Sequence, residues 1–211
     1  MTFPGSFVIA LIAVTLLSLP FVIRILIAAT RGREIGARSL AKQPDTIELV
    51  EAEASAWNRL ADIQALEQPL IARGFASAGV FRIRELPGVV VQLLVDEPHR
   101  VLACLYEHPT SGIWTELVVR TSDGGEHIVS SNRPTGLAPR PQVTIEHVRG
   151  GGIEAMCVVL ERLNEIAPRV PVRVSEARER FERAWAEAIA YRKRVGISTA
   201  EVVQVVTRRS A

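Results

Sequence analysis

Val80-Phe-Arg-Ile-Arg-Glu-Leu86, Val89-Val-Val-Gln-Leu-Leu-Val95 and Val101-Leu-Ala-Cys-Leu-Tyr106 are three apolar runs separated only by Pro87-Gly88 and by a turn around Glu97-Pro98. Their period is near two rather than 3.6, and glycine and proline punctuation of this kind marks strand ends. The pattern continues through Ile113–Thr121 and Glu126–Ser131, with Pro109 to Gly112 and Asp123-Gly124-Gly125 between them. Such short connections join antiparallel neighbours, because a parallel crossover needs a dozen or more residues. The sequence therefore predicts an antiparallel meander of five strands. Gln142–Val148 can add a sixth, making the meander five- to six-stranded, beyond the proline-containing loop from Asn132 to Pro141.

Helical signals flank this block. Asp45-Thr-Ile-Glu48 has the form of a capping box. It predicts a helix with Ile47, Val50, Ala54, Trp57 and Ala61 on one stripe and Leu49, Ala56, Leu60 and Ile63 on another. Pro69 breaks or restarts that helix and Gly74 caps its end. On the other side, Gly150-Gly151-Gly152 opens a helix lined by Ile153, Met156, Leu160 and Leu163, ended by Pro168 and Pro171. Ser175 caps the next helix, whose stripe is Phe181, Ala184, Trp185, Ala188 and Tyr191, and Gly196 stops it. Ser198-Thr-Ala-Glu201 is a second capping box for a short C-terminal helix, although its four valines also suit a strand. Strands grouped between helices indicate α+β, with one antiparallel sheet covered on one face.

Further out, Phe7 to Ile23 is a run of 17 uncharged residues, and Ile25 to Ala29 extends it past Arg24. The uncharged part reaches about 25 Å as a helix, and snorkelling by Arg24 brings the span to roughly the 30 Å of a bilayer core. Pro20 is tolerated in such a helix. Met1 to Ser6 carries no charged side chain, unlike a cleaved secretory signal. The basic residues follow the span instead: Arg24, Arg31, Arg33, Arg38 and Lys42 stand against Glu34 alone. The remainder holds 20 basic and 22 acidic residues. By the positive-inside rule the flank stays in the cytoplasm. The expected order is an extracytoplasmic N-terminus (1–6), a transmembrane helix (7–29), a basic linker (30–44) and a cytoplasmic α+β domain (45–211). A nearly neutral domain gives no ground for nucleic-acid binding.

Candidate chemistry is sparse. Tyr106-Glu107-His108-Pro109 offers an acid beside an imidazole, but neighbours on a strand face opposite ways, so Glu107 and His108 do not readily cooperate. His99, Cys104 and His108 carry zinc donors, yet Cys104 and His108 lie about 13 Å apart in an extended strand, so no metal site is expected. Arg149-Gly150-Gly151-Gly152 before a helix could present amides to a phosphate, with Gly150, Gly151 and Gly152 as ligand-binding candidates. It lacks the Gly-Lys-Ser/Thr ending of a phosphate-binding loop, and a tight turn explains it equally. Cys104 and Cys157 sit in apolar surroundings and read as buried free thiols. No cofactor is indicated.

Gly74-Phe75, Leu86-Pro87-Gly88, Tyr106-Glu107-His108-Pro109, Gly112-Ile-Trp114, Asp123-Gly124 and Pro134-Thr-Gly136, followed by a helix with Trp and Tyr, span residues 74–204. In these positions the chain resembles a group of bacterial proteins with no assigned activity. The resemblance implies a domain and carries over no catalytic residue. The expected function is a membrane-tethered cytoplasmic binding module, with the bilayer and a protein or small ligand as partners. Its alternatives are a hydrolase-like enzyme using His108 and an accessory subunit of a membrane complex.

Overall fold

A computed structural model describes residues 5–148, 150, 152–162 and 168–209, with side chains described only between residues 23 and 207. The chain forms two compact units. One contains residues up to 43, with 135–138 and 192 onward; the other contains 44–134 and 139–191.

The second unit is built on a seven-stranded sheet in the order of the sequence. Its strands are β1 (Leu49–Ala52), β2 (Ala76–Ile83), β3 (Val90–Asp96), β4 (Val101–His108), β5 (Gly112–Arg120), β6 (Glu126–Ser130) and β7 (Val143–His147). Neighbours from β1 to β6 are antiparallel, and β7 pairs with β6 in parallel. The meander is thus present, but the sheet is mixed and has one more strand than expected. The loop over 131–142 is long enough to return the chain to the starting end of β6, as a parallel pairing requires.

The additional strand is β1, where the capping box had suggested a helix. The local signal lost to tertiary contacts. The Glu48 and Leu49 amides donate to the side chains of Glu85 and Glu182 at 2.8 and 2.7 Å, while Glu48 itself pairs with Arg84. Leu49 is fully buried, and its partner in the ladder is Ile83. The helix begins only at Leu60, as α2 (Leu60–Ala72). Pro69 lies inside its last turn without ending it.

Both faces of the sheet are covered, not one. Leu70 of α2 and Ile153, Met156 and Leu160 of α3 (Gly152–Arg162) pack on Leu94, Ala103, Leu105, Leu117 and Val129. On the opposite face Val172 and Ala177 meet Val91, Leu93, Leu102 and Cys104, with Phe181 and Trp185 of α4 (Ala177–Val195) packed against them. Every residue of β3 is buried in consequence. Val89–Val95 was itself the clue, since a nearly unbroken apolar run suits a strand covered on both faces. Ser175 does not cap α4; it lies in the 3-10 turn Val174–Glu176 ahead of it. Leu163 lies outside the described residues.

In the first unit, α1 (Gly5–Ala41) and α5 (Thr199–Arg209) pack together. The basic linker expected over 30–44 is helical as far as Ala41. An i,i+4 contact of Arg38 with Glu34 at 2.5 Å supports that extension. The side chains of 7–22, most of the expected membrane span, lie outside the described residues. Among the described residues no helix is long and apolar enough to cross a membrane. The second capping box does form. Ser198 N–H donates to Glu201 at 2.9 Å, Glu201 N–H donates to the Ser198 hydroxyl at 3.2 Å, and the valines after it are helical.

Candidate functional site

The β3–β4 turn, the end of α2, α3 and the segment after Pro168 converge on a pocket of about 150 Å³. Its lining includes Arg73, Asp96, His99, Cys157, Glu161 and Arg169 around an apolar floor of Phe75, Val101 and Leu160.

Each element presents its residues for a local reason. Gly74, at φ +93°, closes α2 in a Schellman arrangement in which its N–H reaches Ile71 O at 2.9 Å and Phe75 N–H reaches Leu70 O at 3.1 Å. That turn sets Arg73 and Phe75 at the pocket. In the β3–β4 turn Arg100 N–H donates to Glu97 O at 3.2 Å, and Arg100 takes a left-handed φ of +59°. Asp96 accepts the His99 backbone N–H at 3.1 Å and lies 2.7 Å from His99 Nδ1. The Asp96 side chain is 9% exposed, the imidazole 72%. The buried carboxylate thus fixes the ring through Nδ1 and leaves Nε2 facing outward.

The turn is latched to the segment carrying Arg169. Arg169 donates to His99 O at 2.8 Å and to Leu160 O at 3.1 Å, and Arg100 returns a bond of 2.5 Å to Arg169 O. Glu97 accepts the Val174 N–H at 2.8 Å.

The charges lining the pocket differ in how they are met. Arg73 is paired with Glu154 and lies 3.8 Å from Glu161. Its hydrogen bond with Glu154 raises the Arg73 pKa and lowers that of Glu154. Arg169 has no carboxylate within salt-bridge distance among the described residues, and its Nε is buried without a partner. Burial lowers the Arg169 pKa, with a partial offset from Asp96. Burial also pushes the Cys157 thiol upward, against the charge of Arg73, which favours the unreactive protonated form.

The residues singled out from sequence lie elsewhere. His108 is at the far end of β4 from His99. Its Nδ1 accepts the Thr110 and Ser111 N–H groups at 3.1 Å each, which demands the proton on Nε2. Glu107 is 5% exposed and accepts the Asn58 N–H at 2.9 Å, pinning the segment before α2. Gly150 and Gly152 have φ of +70° and +62°, values that ask for glycine; Arg149 and Gly151 lie outside the described residues. Arg24, Arg31, Arg33, Arg38 and Lys42 are exposed. Cys104 and Cys157 are buried free thiols. The described residues hold no group of three or more His, Cys, Asp or Glu arranged for a metal.

Two further polar clusters are internally satisfied. Glu116 accepts from Tyr106 at 3.1 Å and Ser130 at 3.3 Å, and burial pushes its carboxyl upward. Arg120 and Arg140 both bridge Glu126 and Glu187 at 2.8–3.2 Å. In neither does a guanidinium lack a salt-bridge partner among the described residues, as Arg169 does. Comparison of the chain with family models, with curated proteins and with solved structures gives no match.

Proposed function

We propose that this chain is a membrane-tethered binding module whose sheet unit takes a small oxyanion, a carboxylate or phosphate group, in the pocket at the β3–β4 turn. Arg169 carries the reading: a guanidinium held by two backbone carbonyls, lining an open pocket, with no described carboxylate within salt-bridge distance. Its free-state cost of burial is offset when an anion arrives. Phe75, Val101 and Leu160 give the ligand's apolar part a floor. The uncharged run Phe7 to Ile23 supplies the tether, and the basic flank after it supports an outside N-terminus with the sheet unit in the cytoplasm.

A second reading, a hydrolase-like enzyme, draws support from the Asp96–His99 pair, since a carboxylate on Nδ1 leaves Nε2 placed to act as a base. This favours His99 over His108, whose Nδ1 is engaged by the turn. The protonated Cys157 thiol counts against a thiolate nucleophile. A role as accessory subunit of a membrane complex is compatible with the tether, but no described contact specifies one.

The test uses the full chain in lipid nanodiscs titrated with inorganic phosphate and with acetate, reading the ring resonances of His99. A saturable shift that is lost in Arg169→Gln supports the binding reading. An unchanged spectrum, or a shift that survives Arg169→Gln, overturns it. Turnover of simple ester substrates that disappears in His99→Ala would move the conclusion to the enzyme.

A further inference from the structure

The sheet ends in two edges, and they differ. At β1 the Leu49 N–H is taken by the Glu182 side chain at 2.7 Å. At β7 Thr144, Ile145 and Glu146 are exposed, Ile145 to 39%. Two bonds fix the phase of the β7 backbone: Glu126 N–H donates to Gln142 O at 2.8 Å, and Val148 N–H donates to Ser130 O at 2.9 Å. Alternate residues of a parallel strand turn both backbone groups to the same neighbour, so Gln142, Thr144, Glu146 and Val148 face β6. Val143, Ile145 and His147 face outward. The Val143 N–H returns to Arg140 O at 3.1 Å, whereas the N–H groups of Ile145 and His147 have no partner among the described residues.

The order of residues along this edge suits a second copy of itself. When two β7 strands lie antiparallel about a two-fold axis at Ile145, every outward residue finds a partner: Ile145 meets Ile145, and Val143 meets His147. Ile145 then exchanges both backbone bonds with its counterpart, and each Val143 carbonyl accepts the His147 N–H of the other copy. A register shifted by two residues leaves an outward residue of each strand unpaired. Between these pairs Thr144 meets Glu146, so the carboxylate of the strand stands across from a hydroxyl and never across from its own copy. Through its register with Ile128 and Val118, Ile145 lies on the α4 face of the sheet, and pairing across the axis covers two exposed apolar side chains at once. The strand also lacks Pro and Lys, residues that commonly blunt an open edge.

We infer that β7 is a self-association edge, on which a second copy of this chain adds its own β7 antiparallel about a two-fold axis at Ile145, so that two seven-stranded sheets become continuous. The occupant is a copy of the chain because the edge is complementary to itself in backbone groups and in side-chain charge. The two-fold axis closes the contact, since each β7 is then covered by the other. Neither the pocket nor the tether contributes a residue to this edge, so the inference stands apart from the proposed function.

The test follows the full chain in an excess of detergent micelles over a dilution series, by sedimentation and by amide hydrogen exchange. The amides of Thr144 and Glu146, which face β6, should be protected at every concentration, and those of Ile145 and His147 only where the chain is dimeric. Ile145→Pro removes an outward N–H, a change that an edge strand tolerates. It should weaken dimerisation by about thirty-fold, through one bond lost from each copy, with Thr144 and Glu146 still protected. Ile145→Lys and Ile145→Glu should each weaken it by about ten-fold, because like charges then face each other, and an equimolar mixture of the two should dimerise again. If Ile145→Pro also exposes the Thr144 and Glu146 amides, the charged pair decides. A chain that is monomeric throughout, a dimer that leaves the Ile145 amide unprotected, or a mixture of the charged variants that stays monomeric overturns the inference. Protection of Ile145 that ignores concentration overturns it as well, pointing to another segment of the same chain on the edge.

Discussion

Replacing Glu201 by Gln should loosen α5 in a pH-dependent way. The carboxylate accepts the Ser198 N–H and hydroxyl at 2.9 Å, the Ala138 N–H at 2.9 Å and the Arg192 guanidinium at 2.9 Å, and its side chain is only 16% exposed. Burial alone would raise its pKa, but these donors outweigh it and hold the group at about 2 against an ordinary 4.5. That difference corresponds to about 3 kcal/mol in favour of the charged form, or about 2 kcal/mol once residual solvent screening is allowed for. Gln is the size of the protonated acid and carries no charge. At pH 7, α5 in Glu201→Gln should therefore open roughly 30-fold more often, read as lost hydrogen-exchange protection over 199–209 in the full chain. Because the folded-state value is depressed, the contribution is complete above 4.5 and fades as pH falls toward 2. The gap between wild type and variant should close over that window. Protection within two-fold of wild type at pH 7, or a gap that persists at pH 2, would show that charge on Glu201 does not hold the helix.

Three other outcomes follow from the geometry. His108→Asn should be nearly silent in a thermal melt, because Asn also accepts turn amides, while His108→Leu should cost about 1 kcal/mol by leaving the Thr110 and Ser111 donors unmet. Gly36→Val should separate α5 from α1 at a cost of about 1–3 kcal/mol, since its side chain would overlap Ile197, and loss of a disulfide cross-link engineered between the two helices would report it. Protease added to intact cells should spare the sheet unit and cleave it only after lysis; cleavage from outside would reverse the proposed orientation.

The strands were legible because period-two patterning and turn residues are local properties. Pro87-Gly88 and Asp123-Gly124-Gly125 sit between strands as their chemistry demands, with Gly88 at φ +82° and Gly124 at φ +85°. β1 was not legible. Asp45-Thr-Ile-Glu48 favours a helix by itself, and what overrides it is a carboxylate from α4, Glu182, reaching Leu49 across 133 residues of sequence. The contrast with Ser198-Thr-Ala-Glu201 is instructive, because the same motif there forms its reciprocal bonds. That box follows Gly196, whose φ of +80° lets the chain leave α4 and start α5 afresh. The earlier box is drawn into a sheet edge that competes for its backbone amides.

The pocket was illegible for a related reason. Arg73, Asp96, His99, Cys157 and Arg169 share no motif and come from four separate elements, so no spacing rule unites them. The sequence drew attention to Glu107-His108, where two reactive types are adjacent, although adjacency on a strand sends them to opposite faces. A three-residue step in a turn does the reverse. Asp96 and His99 stand at the start and end of the tight connection opened by Glu97-Pro98, a spacing that folds carboxylate and imidazole onto one another at 2.7 Å. An Asp-x-x-His step across a hairpin turn was therefore the readable signal, whereas Arg169, without a salt-bridge partner among the described residues, reaches the pocket only when the segment after Pro168 packs against the turn. That late-arriving guanidinium is what distinguishes the pocket from the self-contained Glu116 and Glu126 clusters, because theirs are charges and polar groups already answered within the fold.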